Sequence, residues 1–465
     1  MRTPRVLVTL WPLLALLALT ACHGGVHGTP GRSGLRDPYF PRLGNGGYDV
    51  AHYDLGLAYD PDTHRLTGTA DITAKAGKDL SAFNFDLTGM TVKSVTVDGE
   101  EAVASRAGHE LTIRPHDELR RGDTFRTVVR YSGEPVTITD PDGSKEGWLR
   151  TADGALGLGE PTGSMAWFPG NHHPSDKATY DITVTVPKGV QAVSNGELTR
   201  TSTATDGSGA TTYAWHVPQP MASYLATVAI GEFRTSSSTT PSGLPVHTAV
   251  DPREEAASAK VLARLPEVVA WETKRFGPYP FSSTGAIVDR EGDAGYALET
   301  QNRPVFPGAP GLGLLVHELA HQWYGDSVTP RSWRDMWLNE GFATYAEWLW
   351  DEDHDGDTAQ DTFDTLRATS ASDGIWSFPP AEPPSAAHIS DAPVYERGAM
   401  VLHRVRQIIG DPDFFSLLKS WPREHKYGNA DTDDFTAYVE KRNPGKEEAL
   451  AGVWKDWLYG NGKPK

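Results

Sequence analysis

Hydrophobic and polar positions alternate with a period of two over much of the first half of the chain, then switch to a helical period. Tyr53, Leu55, Leu57 and Tyr59 are interleaved with Asp54, Gly56 and Ala58. Ala70, Ile72 and Ala74 repeat the pattern, as do Tyr180, Ile182, Val184 and Val186. Such alternation sets one face of each segment in a core and the other in water, as half-buried strands require. Asp98-Gly99, between two strand-like runs, is a two-residue hairpin signal. Many short strands with Gly, Pro and Asp turns predict a β-sandwich-like domain over residues 48–238. Its boundary falls in the polar, turn-rich stretch 234–243.

After Leu244 the spacing predicts helices over 254–275, 311–324, 333–350, 396–409 and 411–421. Pro266 lies inside the first, where a missing N–H and a ring clash kink or split a helix. Residues 374–394, rich in Pro and Ala, read as loop. The fold class is therefore α+β and multidomain, with a β-domain followed by a mainly helical domain over 239–465.

Composition agrees. At 465 residues, with 38% hydrophobic and 10% aromatic positions, the chain is too long for one ordinary core and rich enough to build two. The formal net charge of -18 leaves no electrostatic footprint for nucleic acid, so that partner class is set aside. The lone cysteine, Cys22, excludes an intramolecular disulfide. Its setting says more. Arg2 and Arg5 precede an apolar run from Val6 to Leu19, which ends in Leu19-Thr20-Ala21-Cys22. A basic start, a short apolar run and small residues before a cut site describe a signal peptide over 1–21. The tetrapeptide resembles a bacterial lipobox, which implies a lipidated Cys22 followed by a flexible tether over 22–47. The expected location is extracytoplasmic, with membrane contact only through the lipid at Cys22.

The chemistry is concentrated in His317-Glu318-Leu319-Ala320-His321. Residues four apart share a helix face, so the two imidazoles can meet one ion while Glu318 stands beside it. Eighteen residues separate His321 from Glu340, which lies in the apolar helical segment starting at Trp333. Two histidines and a carboxylate leave a fourth position open for water, the arrangement of a catalytic zinc. A bound water becomes acidic enough to attack near neutral pH, and Glu318 is the candidate base. Glu347, seven residues past Glu340, is on the same face and is the candidate acceptor for a ligand histidine. Two other signals are weaker. Asp351, Asp353, Asp355 and Gly356 begin a calcium-loop pattern, but Thr362 stands where its bidentate Glu belongs. Asn171-His172-His173 has no third ligand at a recognisable spacing.

These residues resemble the gluzincin aminopeptidase family that includes alanyl aminopeptidases and leukotriene hydrolase. Gly295-Tyr296-Ala297-Leu298-Glu299-Thr300-Gln301 is similar to its G-x-M-E-N segment, with Leu298 for Met and Thr300 for Asn. Gly159-Glu160-Pro161-Thr162 resembles its E-P-T segment, and Trp167-Phe168-Pro169 and 174–180 resemble the family's stretch just after that segment. Val394-Tyr395-Glu396-Arg397-Gly398-Ala399 resembles its Tyr-Glu-Lys-Gly-Ala segment, with Arg for Lys. The resemblance implies a thermolysin-like zinc domain with one Zn2+ on His317, His321 and Glu340. It implies that Glu299 and Glu160 bind the free α-amino group of a peptide substrate and that Tyr395 supports the oxyanion. The long C-terminal helical domain of many relatives is not expected, because the chain runs only to Lys465 after Tyr395. The expected activity is zinc aminopeptidase. An endopeptidase of the same fold and a non-catalytic surface binding lipoprotein stay open as rivals. The sequence is silent on the preferred first residue and on oligomeric state.

Overall fold

The computed structural model describes residues 27–465. The expected signal peptide and Cys22 lie outside the described residues. The N-terminal half is built on an eight-stranded sheet in the order 197–203, 211–222, 177–186, 48–60, 65–76, 124–133, 91–97 and 100–101. Period two becomes burial as expected: Tyr53, Leu55, Leu57 and Tyr59 point inward, as do Ala70, Ile72 and Ala74 from the neighbouring strand. A bulge between Val50 and His52 shifts the register, so Val50 and Tyr53 are both buried although three residues apart. Asp98 and Gly99 take φ of 50° and 90° at the tip of the hairpin joining Thr91–Val97 to Glu100–Glu101. A four-stranded and a five-stranded sheet complete the domain.

The boundary expected within 234–243 is corrected by the strand pairing. Arg234–Thr239 and Pro245–Val250 form an antiparallel hairpin, and the second strand pairs in parallel with Thr284–Val288. The polar run is thus the exposed edge of the second domain's sheet, so the division falls before Arg234. Its Ser and Thr residues suit an edge strand with both faces in water.

Helices α1 (Glu255–Leu262) and α2 (Leu265–Phe276) are one predicted helix split at Pro266, which sits in the first turn of α2. Then come α3 (Leu312–Ala320) and α4 (Trp337–Asp353), the pair that carries the metal motif. Helices α5 (Ala359–Ala368), α6 (Gly398–Ile409), α7 (Asp411–Glu424), α8 (Thr432–Arg442) and α9 (Glu447–Val453) close the domain. Gly341 of α4 and Gly398 of α6 let the two backbones touch: a Cβ at Gly341 would come within 2.9 Å of the Gly398 carbonyl carbon. Asp353 does not form the calcium loop that its spacing hinted at. It binds Arg275 and the Trp271 indole N–H, which joins α4 to α2.

The tether expected over 22–47 also needs correction, because much of its described part is structured. Thr29–Pro30 pairs with Leu80–Asp86, and Arg32–Ser33 pairs with Asn45–Gly46. Between them Asp37 is buried and acts as a clip. Its Oδ1 accepts from the Tyr39 and Phe40 N–H groups, and its Oδ2 accepts from Ser332 Oγ and the Trp333 N–H, both at 2.9 Å. Ser332 and Trp333 begin the turn that leads into α4. Lys177 makes a second clasp. Its buried ammonium donates to the carbonyls of Asp326 at 2.8 Å and Ser327 at 3.0 Å, just beyond α3. Gly/Pro composition misled the sequence reading here, because a single buried carboxylate outweighs many flexible positions.

Burial alone would raise the Asp37 pKa, but His173 and the backbone N–H groups bring it below the ordinary carboxylate range. A depressed folded-state pKa stabilises above the unfolded value and is lost as pH falls through the folded one. Asp37→Ala is therefore expected to cost about 2–3 kcal/mol near neutral pH, with the deficit shrinking in strong acid. Urea melts across pH would check this, and equal stabilities at pH 7 would refute the clip.

Candidate active site

Helix α3 ends at the metal motif. His317 lies in its last turn and His321 is its C-cap, still in helical conformation. Glu340 lies in the first turn of α4, where the helix dipole favours a carboxylate. The two helices bring Glu340 Oε2 to 3.2 Å from His317 Nε2 and 3.4 Å from His321 Nε2. Each imidazole gives its other nitrogen to an acceptor. His317 Nδ1 is 2.8 Å from Glu347 Oε1, and His321 Nδ1 is 3.0 Å from the Tyr324 carbonyl. Donation from Nδ1 fixes the tautomer and frees each Nε2 for a metal. Gly325, at φ 128°, keeps this corner tight, since a Cβ there would lie 3.2 Å from His321 Nδ1.

Three further carboxylates close on the same point. One ligand atom each of Glu299, Glu318 and His321 lies within 4.8 Å of the others, and so it is for Glu160, Glu299 and Glu340. Glu318 Oε2 and Glu299 Oε1 are buried without a hydrogen-bond partner among the described residues. Burial pushes Glu318 up to about 8, against the pull of His317 and His321. Glu160 is raised well above its ordinary range by burial and then by the neighbouring Glu299 carboxylate. Glu340 goes the other way. Burial would raise it, but the two imidazoles hold it down to about 2. Burial would lower both histidines, yet Glu340 with Glu347 lifts His317, and Glu340 with Glu299 lifts His321 to about 10. The group therefore calls for added positive charge. Two imidazoles, a carboxylate and orphaned carboxylate oxygens beside them fit one Zn2+.

The remaining predicted residues arrive from distant segments. Tyr395 lies in a π-helical turn, Pro393–Arg397, that leads into α6, and its ring stacks on His317 at 6.0 Å between centroids. Burial first, then Glu340, raise its pKa, so the phenol keeps its proton. Arg397 anchors that turn from beneath. It is fully buried and donates to the carbonyls of Trp457 at 2.9 Å and Phe378 at 3.2 Å, among others. A guanidinium serves several acceptors in a plane as an ammonium cannot.

Two positioning residues were missed by sequence reasoning. Gln322 follows the motif and reads as an ordinary polar position. Its Nε2 donates to the Glu299 carbonyl at 3.2 Å and its Oε1 accepts from the Asn302 N–H at 2.8 Å. It thus ties α3 to the turn that presents Glu299. Glu146 sits in a strand and is fully buried. It accepts from the Thr162 and Gly163 N–H groups at 3.0 and 2.8 Å, and from the Thr162 hydroxyl, holding the turn after Glu160. A charged residue inside a strand pattern was the only available signal. His172 and His173 do not join the site. His172 bonds Ser223 Oγ and the Phe168 carbonyl, and His173 bonds Ser175 Oγ.

All seven predicted residues line one cavity of about 800 Å³. Among known proteins, the model of the peptidase M1 N-terminal domain matches residues 50–225, and that of the peptidase family M1 domain matches 312–457. A solved two-domain M1 zinc metallopeptidase, a mutant bound to L-arginine, is 30% identical, with a TM-score of 0.83, and the match covers 93% of this chain and 99% of that one. The M1 zinc metallopeptidase of Deinococcus radiodurans is 29% identical, with 93% and 98% covered and a TM-score of 0.82. Glutamyl aminopeptidase of Rattus norvegicus is 26% identical, and aminopeptidase 2 of Candida albicans 24%. In both cases 87% of this chain is matched, and the chain spans 46% of the relative's length.

Glu347→Ala removes the acceptor that orients His317. Zinc affinity is expected to fall about 10–100-fold, read by competition with a chromogenic chelator. An unchanged affinity would exclude this role for Glu347.

Proposed function

The chain belongs to peptidase family M1, and we propose that it removes N-terminal residues from peptides with the help of one zinc ion. The observation that carries this reading is the pair Glu160 and Glu299 beside the metal ligands: one oxygen of each lies within 4.8 Å of the other and of Glu340. A substrate α-ammonium supplies positive charge and three donors to such a pair of carboxyl groups. An amide or acetylated end supplies neither.

His317, His321 and Glu340 would hold the zinc, which when bound supplies Lewis acidity to a water and to the scissile carbonyl. Glu318 takes the proton of the attacking water and returns it to the leaving amine. Burial raises Glu318 while His317 and His321 pull it back, and a bound cation would add to that pull, leaving a carboxylate able to take the proton near neutral pH. Tyr395 donates its O–H to the oxygen on which negative charge develops. Glu160 and Glu299 fix the N-terminus, which sets the first peptide bond against Glu318. We infer further that the protein is extracytoplasmic and lipid-anchored at Cys22. Arg2, Arg5, the run Val6–Leu19 and Leu-Thr-Ala-Cys support this. Among the described residues no helix is long and apolar enough to cross a membrane.

The decisive comparison uses one peptide with a free and an N-acetylated end. The free form is expected to be cleaved at least 100-fold faster, and Glu318→Gln to abolish turnover while retaining zinc. Faster cleavage of the acetylated form would establish the endopeptidase reading. Absence of turnover with zinc bound, over a broad peptide panel, would establish the binding-protein reading.

The preferred first residue is also open to test. Asp140, Asp142 and Asp293 line the cavity with Leu149, Ala294 and Ala297. Asp140 is 7% exposed, and its Oδ2 has no partner among the described residues. Lys145, the cation nearby, is turned to the Thr139 hydroxyl. Apolar walls with carboxylates beyond them suit an arginyl or lysyl side chain. Arginyl amides are expected to exceed glutamyl amides at least tenfold in kcat/KM, and Asp140→Asn to narrow the ratio. Equal rates in the wild type would refute this preference.

A further inference from the structure

Far along the N-terminal domain from the zinc ligands in sequence, the strand register sets two acids against each other. Leu80–Asp86 pairs antiparallel with Glu110–Arg114, and Asp86 is directly opposite Glu110. Like charges at facing positions destabilise a sheet. Among the described residues neither is paired with a Lys or Arg. Asp86 is fully buried, and its two oxygens are treated differently. Oδ2 accepts from the Gly44 and His172 N–H groups at 3.0 and 3.2 Å. Among the described residues Oδ1 has no hydrogen-bond partner, nor has either oxygen of Glu110, though all three are shielded from water.

A protonated carboxyl bridging the pair would satisfy one oxygen on each side, and no such bond is present. Instead a third group enters. Gly108, at φ 63°, turns the hairpin so that His109, next to Glu110, also reaches Asp86. His109 Nε2 is 3.9 Å from Asp86 Oδ1. One ligand atom from each of Asp86, His109 and Glu110 lies within 4.8 Å of the other two. Ligand atoms around one ion at about 2.0–2.2 Å are separated by roughly 3–4 Å, so small side-chain rotations close the set. His109 Nε2 donates to the Arg42 carbonyl at 3.1 Å, so a cation would displace that proton, as ligation by neutral imidazole requires, and would find the carbonyl oxygen beside it.

We propose that Asp86, His109 and Glu110 form a second metal site, for a divalent transition cation such as Zn2+ or Mn2+. One imidazole with two carboxylates is a donor set for those ions, whereas Ca2+ prefers six or more oxygens. The site shares no residue with the active-site group. Its role is structural. Asp86 already holds Gly44, and the segment leading there carries the Asp37 clip to the entrance of α4. A cation on Oδ1 would lock that segment to the sheet, and its binding energy would add to folding stability.

The test is metal content after equilibration of the full chain in buffered Zn2+, with His317→Ala and the double variant His109→Ala/Glu110→Gln beside the wild type. Two ions per wild-type chain and one in each variant are expected. Removing the ions by chelation should lower the melting temperature of His317→Ala by several degrees. The double variant, relieved of the facing charges, should melt above the metal-free wild type and keep its kcat. One ion in the wild type, lost in His317→Ala, would overturn the proposal. So would two ions retained in the double variant, or a His317→Ala melting temperature indifferent to chelation.

Discussion

Everything at the centre of this protein depends on burying negative charge without enough positive charge to balance it. Glu160, Glu299, Glu318 and Glu340 converge on one cavity, where His317 and His321 are the groups that oppose them at close range. An ionised carboxylate taken out of water costs several kcal/mol unless it is paired. Glu340 is paired, and the imidazoles keep it ionised. The other three are not, and burial lifts each of them. Such an arrangement persists because the missing charge comes from outside the chain. A dication would complete the inner group, and on the proposed function an ammonium would complete the outer pair. The site is shaped as the complement of its ligands, and the elevated carboxylates measure what is missing.

The architecture serves that one requirement. Helices α3 and α4 supply the metal ligands, and they are held from outside at several points. Asp37 grips the turn before α4, Lys177 grips the loop after α3, and Gly341 against Gly398 sets the depth at which α6 packs on α4. Two of those grips come from the N-terminal half. That domain therefore fixes the metal ligands as well as bringing Glu160. The charge deficit can be held open only because neither helix is able to relax toward the acids and pair them off.

What was legible in the sequence divides along the same line. His317, Glu318, His321 and Glu340 could be read because their spacing is local and each spacing has one chemical meaning. Glu347 could be read because seven residues on a helix return to the same face. Glu299, Glu160 and Tyr395 could not be reached by periodicity, and only the resemblance singled them out. Gln322 and Glu146 escaped both routes. Each acts through backbone groups more than fifteen residues away, which leaves no local pattern. The structured segment 29–46 escaped for a related reason. Its Gly and Pro content reads as a tether, and the single contact that overrides this, Asp37 with Trp333, joins residues 296 positions apart.

On the proposed function, two carboxylates on the substrate amine would do more than add affinity. Glu160 is carried by a turn of the N-terminal domain and Glu299 by a hairpin of the catalytic domain, so the amine site exists only where the two domains meet. The metal ligands belong wholly to the second domain. The distance from amine to scissile bond is thus set by the domain junction, and the Lys177 clasp lies at that junction. A peptide that enters amine first would then find its first carbonyl near Glu318 and Tyr395. A peptide that runs through the cleft would have to leave an uncharged segment between two unpaired buried carboxylates. That desolvation cost is paid at every internal bond and at no free N-terminus. Exopeptidase selectivity in this fold therefore does not require a physical wall beyond the amine site. On the proposed reading, the unmet hydrogen-bonding and charge of the Glu160 and Glu299 carboxyls would already make every other register less favourable.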